Sequence, residues 1–319
     1  MSIPSGKGVW IWQAWGLLGG TIDAPKYDEM VETLVRAGVS HVYLKVADGV
    51  HPYNVKWANY PRWSGAIKAD IAGEMASRLQ QALIQVIGWQ YVYGIGPLDE
   101  AAISVSRTKA LKLDGFSIDA EAEYKLPGKG AAAETYSEAL RKGLSDLPIS
   151  LATYRYPRLH PQLPYAPFLR RCDHNAPQVY WEQAHNPVQQ LRDSRKQYDI
   201  VYAGAGIDPM PFTPVGSAYG AGSWRATPAD VTAFLAEAKA SGCPSASLWS
   251  MDWMLALGPE LWQAFSAFDW PANDVIPAPP PGNGASRQER MVADLRNSAG
   301  LLRRTAEDLE AVAGELEGI

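Results

Sequence analysis

Short runs of β-branched, aliphatic and aromatic residues alternate with amphipathic stretches of helix length along most of this chain, and no other feature limits its fold as much. Extended segments are read at Gly8–Trp15, His41–Val46, Ile84–Tyr93, Asp114–Tyr124, Ile149–Tyr154, Ala176–Trp181, Ile200–Ala203 and Ser245–Ser250. Helices are read between and after them, at Pro25–Ala37, Ile71–Leu83, Leu98–Leu111, Ala131–Leu147, Pro187–Gln197, Pro228–Ser241 and Pro259–Phe268. Pro25 at a first turn and Gly38 just past an end are the punctuation that helices favour. Eight strand signals alternating with helices across residues 1–270 predict an α/β fold of the (β/α)8 TIM-barrel type, whose usual size is about 250 residues. An open doubly wound sheet also alternates. Polar and aromatic residues recur at the carboxyl end of nearly every strand, however, and only a closed ring brings them to one mouth.

After the barrel, residues 271–286 (PANDVIPAPPPGNGAS) read as a Pro-rich, then Gly-containing linker. In residues 287–319, Leu295, Leu302, Leu309 and Leu316 recur at sevens, with Val292, Ala299, Ala306 and Ala313 on the second seam. That a/d pattern predicts a coiled-coil helix. A lone helix of this length is marginal in water. Self-association into a homo-oligomer, or docking to a partner helix, through Val292, Leu295, Leu302, Leu309 and Leu316 is therefore expected; folding back onto the barrel is the alternative.

A formal net charge of −5 without a basic cluster argues against a nucleic-acid surface. No run approaches the roughly 18 apolar residues of a membrane span, and the amino terminus lacks a signal-peptide pattern. The expectation is a soluble, cytosolically made chain that, if it works outside a cell, is delivered by a phage or other injection assembly. Cys172 and Cys243 are far apart and read as two buried free thiols. The five His show no metal-ligand spacing, no Ser nucleophile elbow is visible, and nothing calls for a metal or cofactor. Gly204-Ala205-Gly206 lacks the rest of a nucleotide fingerprint, and Gly216–Gly222 reads as a mobile loop over the barrel mouth.

Chemistry concentrates in Asp114–Tyr124 (DGFSIDAEAEY), where Asp119, Glu121 and Glu123 fall two apart on one face of an extended segment. Like charges raise one another's cost of ionising, so a purely structural strand has little reason to hold them together. A solvated acidic strand end is the plain alternative. Other strand ends supply Lys45 and Asp48, Gln90 and Tyr93, Tyr154, Tyr180 and Gln183, and Trp249 with Asp252; Trp10, Trp12 and Trp89 read as core fillers. Twelve Trp and fifteen Tyr against six Phe suit a cleft whose aromatics keep one edge wet. Carboxylates, hydrogen-bonding side chains and indole faces together match a polysaccharide. Cleaving a glycosidic bond needs a protonated acid at the leaving oxygen and a second group that stabilises an oxocarbenium-like transition state. Glu121 is the expected general acid, keeping its proton beside an ionised Asp119, with Glu123 or Asp48 able to replace Asp119. Tyr180 is expected to bind the reacting sugar and Trp249 to floor the site.

DGFSIDAEAEY resembles the strand-four motif of family 18 chitinases, where Asp-Gly opens the strand and Asp-x-Glu ends it with the catalytic acid. The matching positions are Asp114, Gly115, Asp119 and Glu121; the family's further acidic residue is Ser117 here. Val42–Gly49 (VYLKVADG) is similar to the second strand of family 25 lysozymes, whose Asp-x-Glu also fits Asp119-x-Glu121. Where those lysozymes carry an Asp on strand one, this chain has Trp10-Ile11-Trp12-Gln13. The resemblance implies a glycosidase acting on a β-linked N-acetylhexosamine polymer, chitin or peptidoglycan. In the chitinase-like version the substrate's acetamide is the nucleophile, Glu121 the acid and Asp119 its orienting partner. Ser117 and the non-acidic first strand favour the competing expectation, a non-catalytic carbohydrate-binding or structural barrel multimerised by its carboxyl-terminal helix.

Overall fold

A computed structural model describes residues 2–57 and 66–270. The expected linker 271–286 and heptad helix 287–319 lie outside the described residues. The described chain is an α/β fold around a curled parallel sheet. Its inner strands are β1 (Gly6–Ile11), β2 (His41–Asp48), β3 (Gln85–Val92), β4 (Gly115–Ala120), β5 (Ile149–Ala152), β6 in two pieces (His174–Asn175 and Gln178–Val179), β7 (Val215–Ser217) and β8 (Ser245–Trp249). Pairing runs β7–β8–β1–β2–β3–β4–β5–β6, all parallel. The two ends of the curl meet where Gln178 of β6 lies parallel to Val215 of β7 and bridges Tyr154, just beyond β5. This order is consistent with a TIM barrel.

The strands form where Val, Ile and aromatics crowd, and the helices where capping residues precede an apolar stripe. Asp70 accepts from the Gly73 backbone N–H at 3.0 Å to start helix Ile71–Gln81. Thr227 and Asp230 form a reciprocal capping box before helix Pro228–Ala240. Entry into β4 and β6 uses one device twice. Asp114 accepts the Val86 N–H of β3 at 2.8 Å, and Asp173 accepts the Ile149 N–H of β5 at 2.8 Å. Lys7, in β1, donates to the carbonyls of Phe265, Ser266 and Phe268 at 2.6–2.8 Å, fastening the end of the last helix, Pro259–Ala267, to the first strand.

Strand seven is corrected. Ile200–Ala203, expected as a strand, belongs to the long helix Pro187–Ala205, whose buried residues Leu191, Ser194, Tyr198 and Tyr202 follow helical spacing. The seventh strand is Val215–Ser217, which runs into the Gly216–Gly222 stretch expected as a mobile loop. Gly216 is required there because a Cβ would come within 2.6 Å of the Phe234 ring and 2.9 Å of Trp181. Gly220–Ala221 then pairs antiparallel with Trp224–Arg225. Both cysteines are free; Cys243 is buried, while Cys172 is only half-buried.

Strand periodicity sorts the ring interior into layers. Lowest are His41, Ser117, Ser150, His174, Thr213 and Ser247, all buried and largely paired among themselves: Ser150 Oγ donates to Ser117 Oγ at 2.9 Å, and His174 Nδ1 lies 2.8 Å from Thr213 Oγ1. Above them Trp10, Tyr43, Ile87, Trp89, Ala152, Ala176 and Val215 pack as one apolar cluster, with Trp10 stacked on Tyr43 at 4.3 Å. Gly8 lacks a side chain because the His41 ring fills its place, 2.2 Å from where a Cβ would stand.

Candidate active site

The carboxyl ends of the strands open above this cluster. Asp119 is the last inward residue of β4 and is 5% exposed. Glu121 follows at the start of the 3-10 turn Ala122–Lys125 and is half-buried. Gln178 Nε2 donates to Asp119 Oδ1 at 3.1 Å and to Glu121 Oε1 at 2.8 Å, so one amide clamps both carboxyls. A cavity of about 120 Å³ lies over the pair, lined also by Trp10, Ala152, Tyr180, Val215 and Trp249. Through Glu121, Gln178 and Tyr180 it adjoins a second lobe of about 280 Å³, walled by Tyr154, Arg155, Tyr156, Leu159 and His160.

Burial and proximity decide the protonation. Desolvation, then the charge of Glu121, pushes the Asp119 carboxyl well above the usual carboxylate range, with Lys45 opposing. Desolvation also raises Glu121, helped by Glu123 and opposed by the Gln178 hydrogen bond and by Lys125. The two carboxyls share the Gln178 donor and act as a pair. The sequence reading put the proton on Glu121 beside an ionised Asp119. Burial raises both carboxyls, so the pair holds a proton more readily than two free carboxylates would.

Several expected residues gather here and others do not. Tyr180 and Trp249 line the cavity, and Tyr154 walls the second lobe. Lys45 is buried below Tyr53 and Trp89, its Nζ 4.4 and 4.8 Å from their ring centroids, and pairs with Asp48 Oδ2 at 2.5 Å. Tyr93 donates to Asp48 Oδ1 at 2.9 Å, while Glu123 accepts from Tyr91 Oη at 2.6 Å. Lys45, Asp48, Tyr93 and Glu123 line neither lobe.

Gln90 faces the other way. Strand alternation sends it toward the helices, where it donates to the Gly49 and Glu100 carbonyls and accepts from Tyr136. Asp252 accepts the backbone N–H groups of Trp12 and Gln13 at 3.0 and 2.8 Å, a structural clasp on the end of β1. Gln183 is exposed in a left-handed backbone conformation and lines neither lobe.

Sequence reasoning missed Gln178 and Tyr91. Both share a strand face with residues it selected: Gln178 stands two before Tyr180, and Tyr91 two after Trp89. Glu100 was missed as well. It is buried and accepts the backbone N–H groups of Tyr93, Gly94 and Ile95 at 3.0–3.2 Å, fixing the loop that carries Tyr93. Trp10, read as core, also lines the cavity.

No protein-family model matches the sequence, and no curated protein does. Solved structures do resemble the fold, and they include chitinases and other glycoside hydrolases. A chitinase from Chromobacterium violaceum superposes with TM-score 0.52 at 12% identity, over 82% of this chain and 98% of the other. The class V chitinase from Nicotiana tobaccum gives 0.56 at 12% identity, over 82% and 98%. The spore cortex-lytic enzyme SleL from Bacillus megaterium gives 0.53 at 11% identity, over 83% and 74%.

Proposed function

We propose that this protein is a glycoside hydrolase that cleaves a β-linked N-acetylhexosamine polymer, peptidoglycan or chitin-like, with Glu121 as general acid and Asp119 as its proton partner. The observation that carries this reading is the buried, hydrogen-bonded carboxyl pair clamped by Gln178 under an aromatic-lined opening. A carboxylic acid that keeps its proton near neutral pH is what protonation of a leaving oxygen demands. The likeness of the fold to chitinases, and to an enzyme named for lysis of spore cortex, supports the same class.

The spacing of the pair bears on mechanism. Where a protein carboxylate attacks directly, the two groups stand about 5–5.5 Å apart; where water attacks, about 6.5–9.5 Å. Asp119 Oδ1 and Glu121 Oε1 both accept from the one Gln178 amide nitrogen, which draws the two carboxyls together on one side of the cavity rather than onto opposite sides of it. That placement suits the chitinase-like version, in which the nucleophile is the acetamide oxygen of an N-acetylhexosamine substrate. In this reading Trp249 and Trp10 bound the sugar face, Tyr180 hydrogen-bonds the reacting ring, and Asp119 passes its proton toward Glu121 as the acetamide attacks.

The scaffold reading has one observation in its favour: Ser117, where the chitinase motif carries an acid, is spent in a hydrogen bond to Ser150. Against it, neither Asp119 nor Glu121 is in an ion pair among the described residues, and the opening above them is not filled. Incubation with chitin oligomers and purified peptidoglycan decides. Released fragments are expected from the native chain, and Glu121→Gln is expected to lower the rate at least about 10²–10⁴-fold with folding and oligomer binding retained. Equal turnover by Glu121→Gln removes that residue from the mechanism.

A further inference from the structure

The second lobe differs in charge from the first. Arg155 stands in its wall, held by an Nε hydrogen bond to Gln190 Oε1 at 2.8 Å and by the Tyr156 ring, whose centroid is 4.9 Å from its Cζ. Tyr156 Oη donates to the same Gln190 oxygen at 2.5 Å, so the guanidinium plane is braced from two sides. Lys125 Nζ lies 4.8 Å from the Tyr154 ring centroid, and the His160 ring stacks on the other partner of that pair, Tyr154, at 3.8 Å. Neither Arg155 nor Lys125 forms an ion pair among the described residues. Lys125 is partly engaged by Glu121, which it helps to ionise. Arg155 is thus a pre-oriented fork beside an aromatic wall, and such a fork matches a carboxylate in both geometry and charge.

We propose that the second lobe is a subsite for a sugar ring bearing a carboxylate, bound by Arg155 with Lys125 in support, next to the ring cleaved at Glu121. This deepens the hydrolase reading and rests on it for the position of the scissile bond. The anion can be a lactyl ether on a hexosamine or the C6 acid of a uronate; the fork recognises the same group in both.

The test is calorimetric binding to the full chain carrying Glu121→Gln, so that no probe is consumed. The probes are an N-acetylglucosamine–N-acetylmuramic acid disaccharide, its lactyl carboxamide, a glucuronate–N-acetylglucosamine disaccharide and N,N′-diacetylchitobiose. At least one carboxylate probe is expected to bind roughly ten- to a hundredfold more tightly than the neutral ones, and whichever does names the source of the anion. The gap is expected to shrink at high salt, to close with Arg155→Met and to survive in part with Arg155→Lys, which decides the matter if the Met variant melts early. Equal or tighter binding of the neutral probes, no binding of either acid, or a gap that persists without Arg155 overturns the subsite. Fragment release from chitin oligomers and from purified peptidoglycan by the native chain is scored in parallel. Release without acid preference sinks the subsite alone, and acid preference without release sinks the hydrolase reading alone.

Discussion

The floor and the mouth of this ring are both lined by buried polar groups, and they treat charge in opposite ways. On the floor, burial pushes His41 and His174 down to about 3, so both are neutral where the protein folds, and their neighbours are hydroxyls. At the mouth, burial pushes Asp119 and Glu121 up, helped by the charge of Glu121 on the first and of Glu123 on the second, yet both remain carboxyls under an opening. Buried polar groups are cheap when neutral and paired and costly when they must carry charge. The floor follows that rule in charge and, at His174 with Thr213, in pairing, although His41 Nε2 is buried without a partner. The mouth departs from it, and a costly departure in a cavity is the usual mark of a working site.

The largest expected effect comes from neutralising the mouth. Asp119→Asn keeps the shape and the Gln178 contact while removing the titrating proton. Turnover is expected to fall at least about 10²-fold. Stability should move the other way. A carboxyl whose folded pKa is raised contributes stability below its unfolded pKa and loses it as pH rises through the folded value. Native protein therefore carries an ionisation cost at neutral and alkaline pH that Asn lacks. The melting temperature of Asp119→Asn should exceed that of the native chain at pH 8, by about 2–4 °C per kcal/mol relieved, and the gap should close toward pH 4. A variant both inactive and less stable at pH 8 would mean that Asp119 is structural, like the floor.

The floor carries the opposite pH signature. A histidine whose folded pKa is depressed contributes stability that is whole above about pH 6.5 and is lost as pH falls toward 3, because only the unfolded chain takes up the proton. Each contributes a slope of at most about 1.4 kcal/mol per pH unit. In the native chain the mouth partly masks this, since its carboxyls gain stability as they protonate. Urea midpoints between about pH 6.5 and 5 should therefore fall more steeply in Asp119→Asn than in the native protein. His41→Gln should flatten that fall and leave turnover untouched. An unchanged slope in His41→Gln would show that the floor histidines already bind protons in the fold.

The same contrast explains what the sequence could tell. The ring was legible because alternation at period two and punctuation at helix ends are local. The acid pair was legible because three carboxylates at that period are rare without a use. Strand seven was not. Ile200–Ala203 is as β-branched and aromatic as a strand, and only its phase with Leu191, Ser194 and Tyr198 reveals the helix. Val215–Ser217 has too few apolar residues to announce a strand, since Gly216 yields its space to Phe234 and Trp181. Gln90 and Asp252 were chosen by type and proved to serve the helices and the end of β1, because residue type alone does not say which face of a strand is used. Gln178 carries no pattern of its own. It gains meaning only when β6, two strands along from β4, brings its amide against the acids.

That closure gives the smallest and sharpest expectation. Gln178 donates to both carboxyls, and a donor of this kind favours their ionised forms; its removal should raise the Glu121 pKa further. A general acid must be protonated to act, so the high-pH limb of the rate profile reports it. In Gln178→Leu that limb should move to higher pH, by no more than about one unit for the loss of one hydrogen bond. Ser117→Ala, which breaks the hydrogen bond to Ser150 on the floor, should leave the limb in place. Both variants remove a buried polar contact facing the same ring interior. If the two shifted the profile equally, floor and mouth would be one electrostatic unit, and the separation between a quiet base and a strained opening would fail.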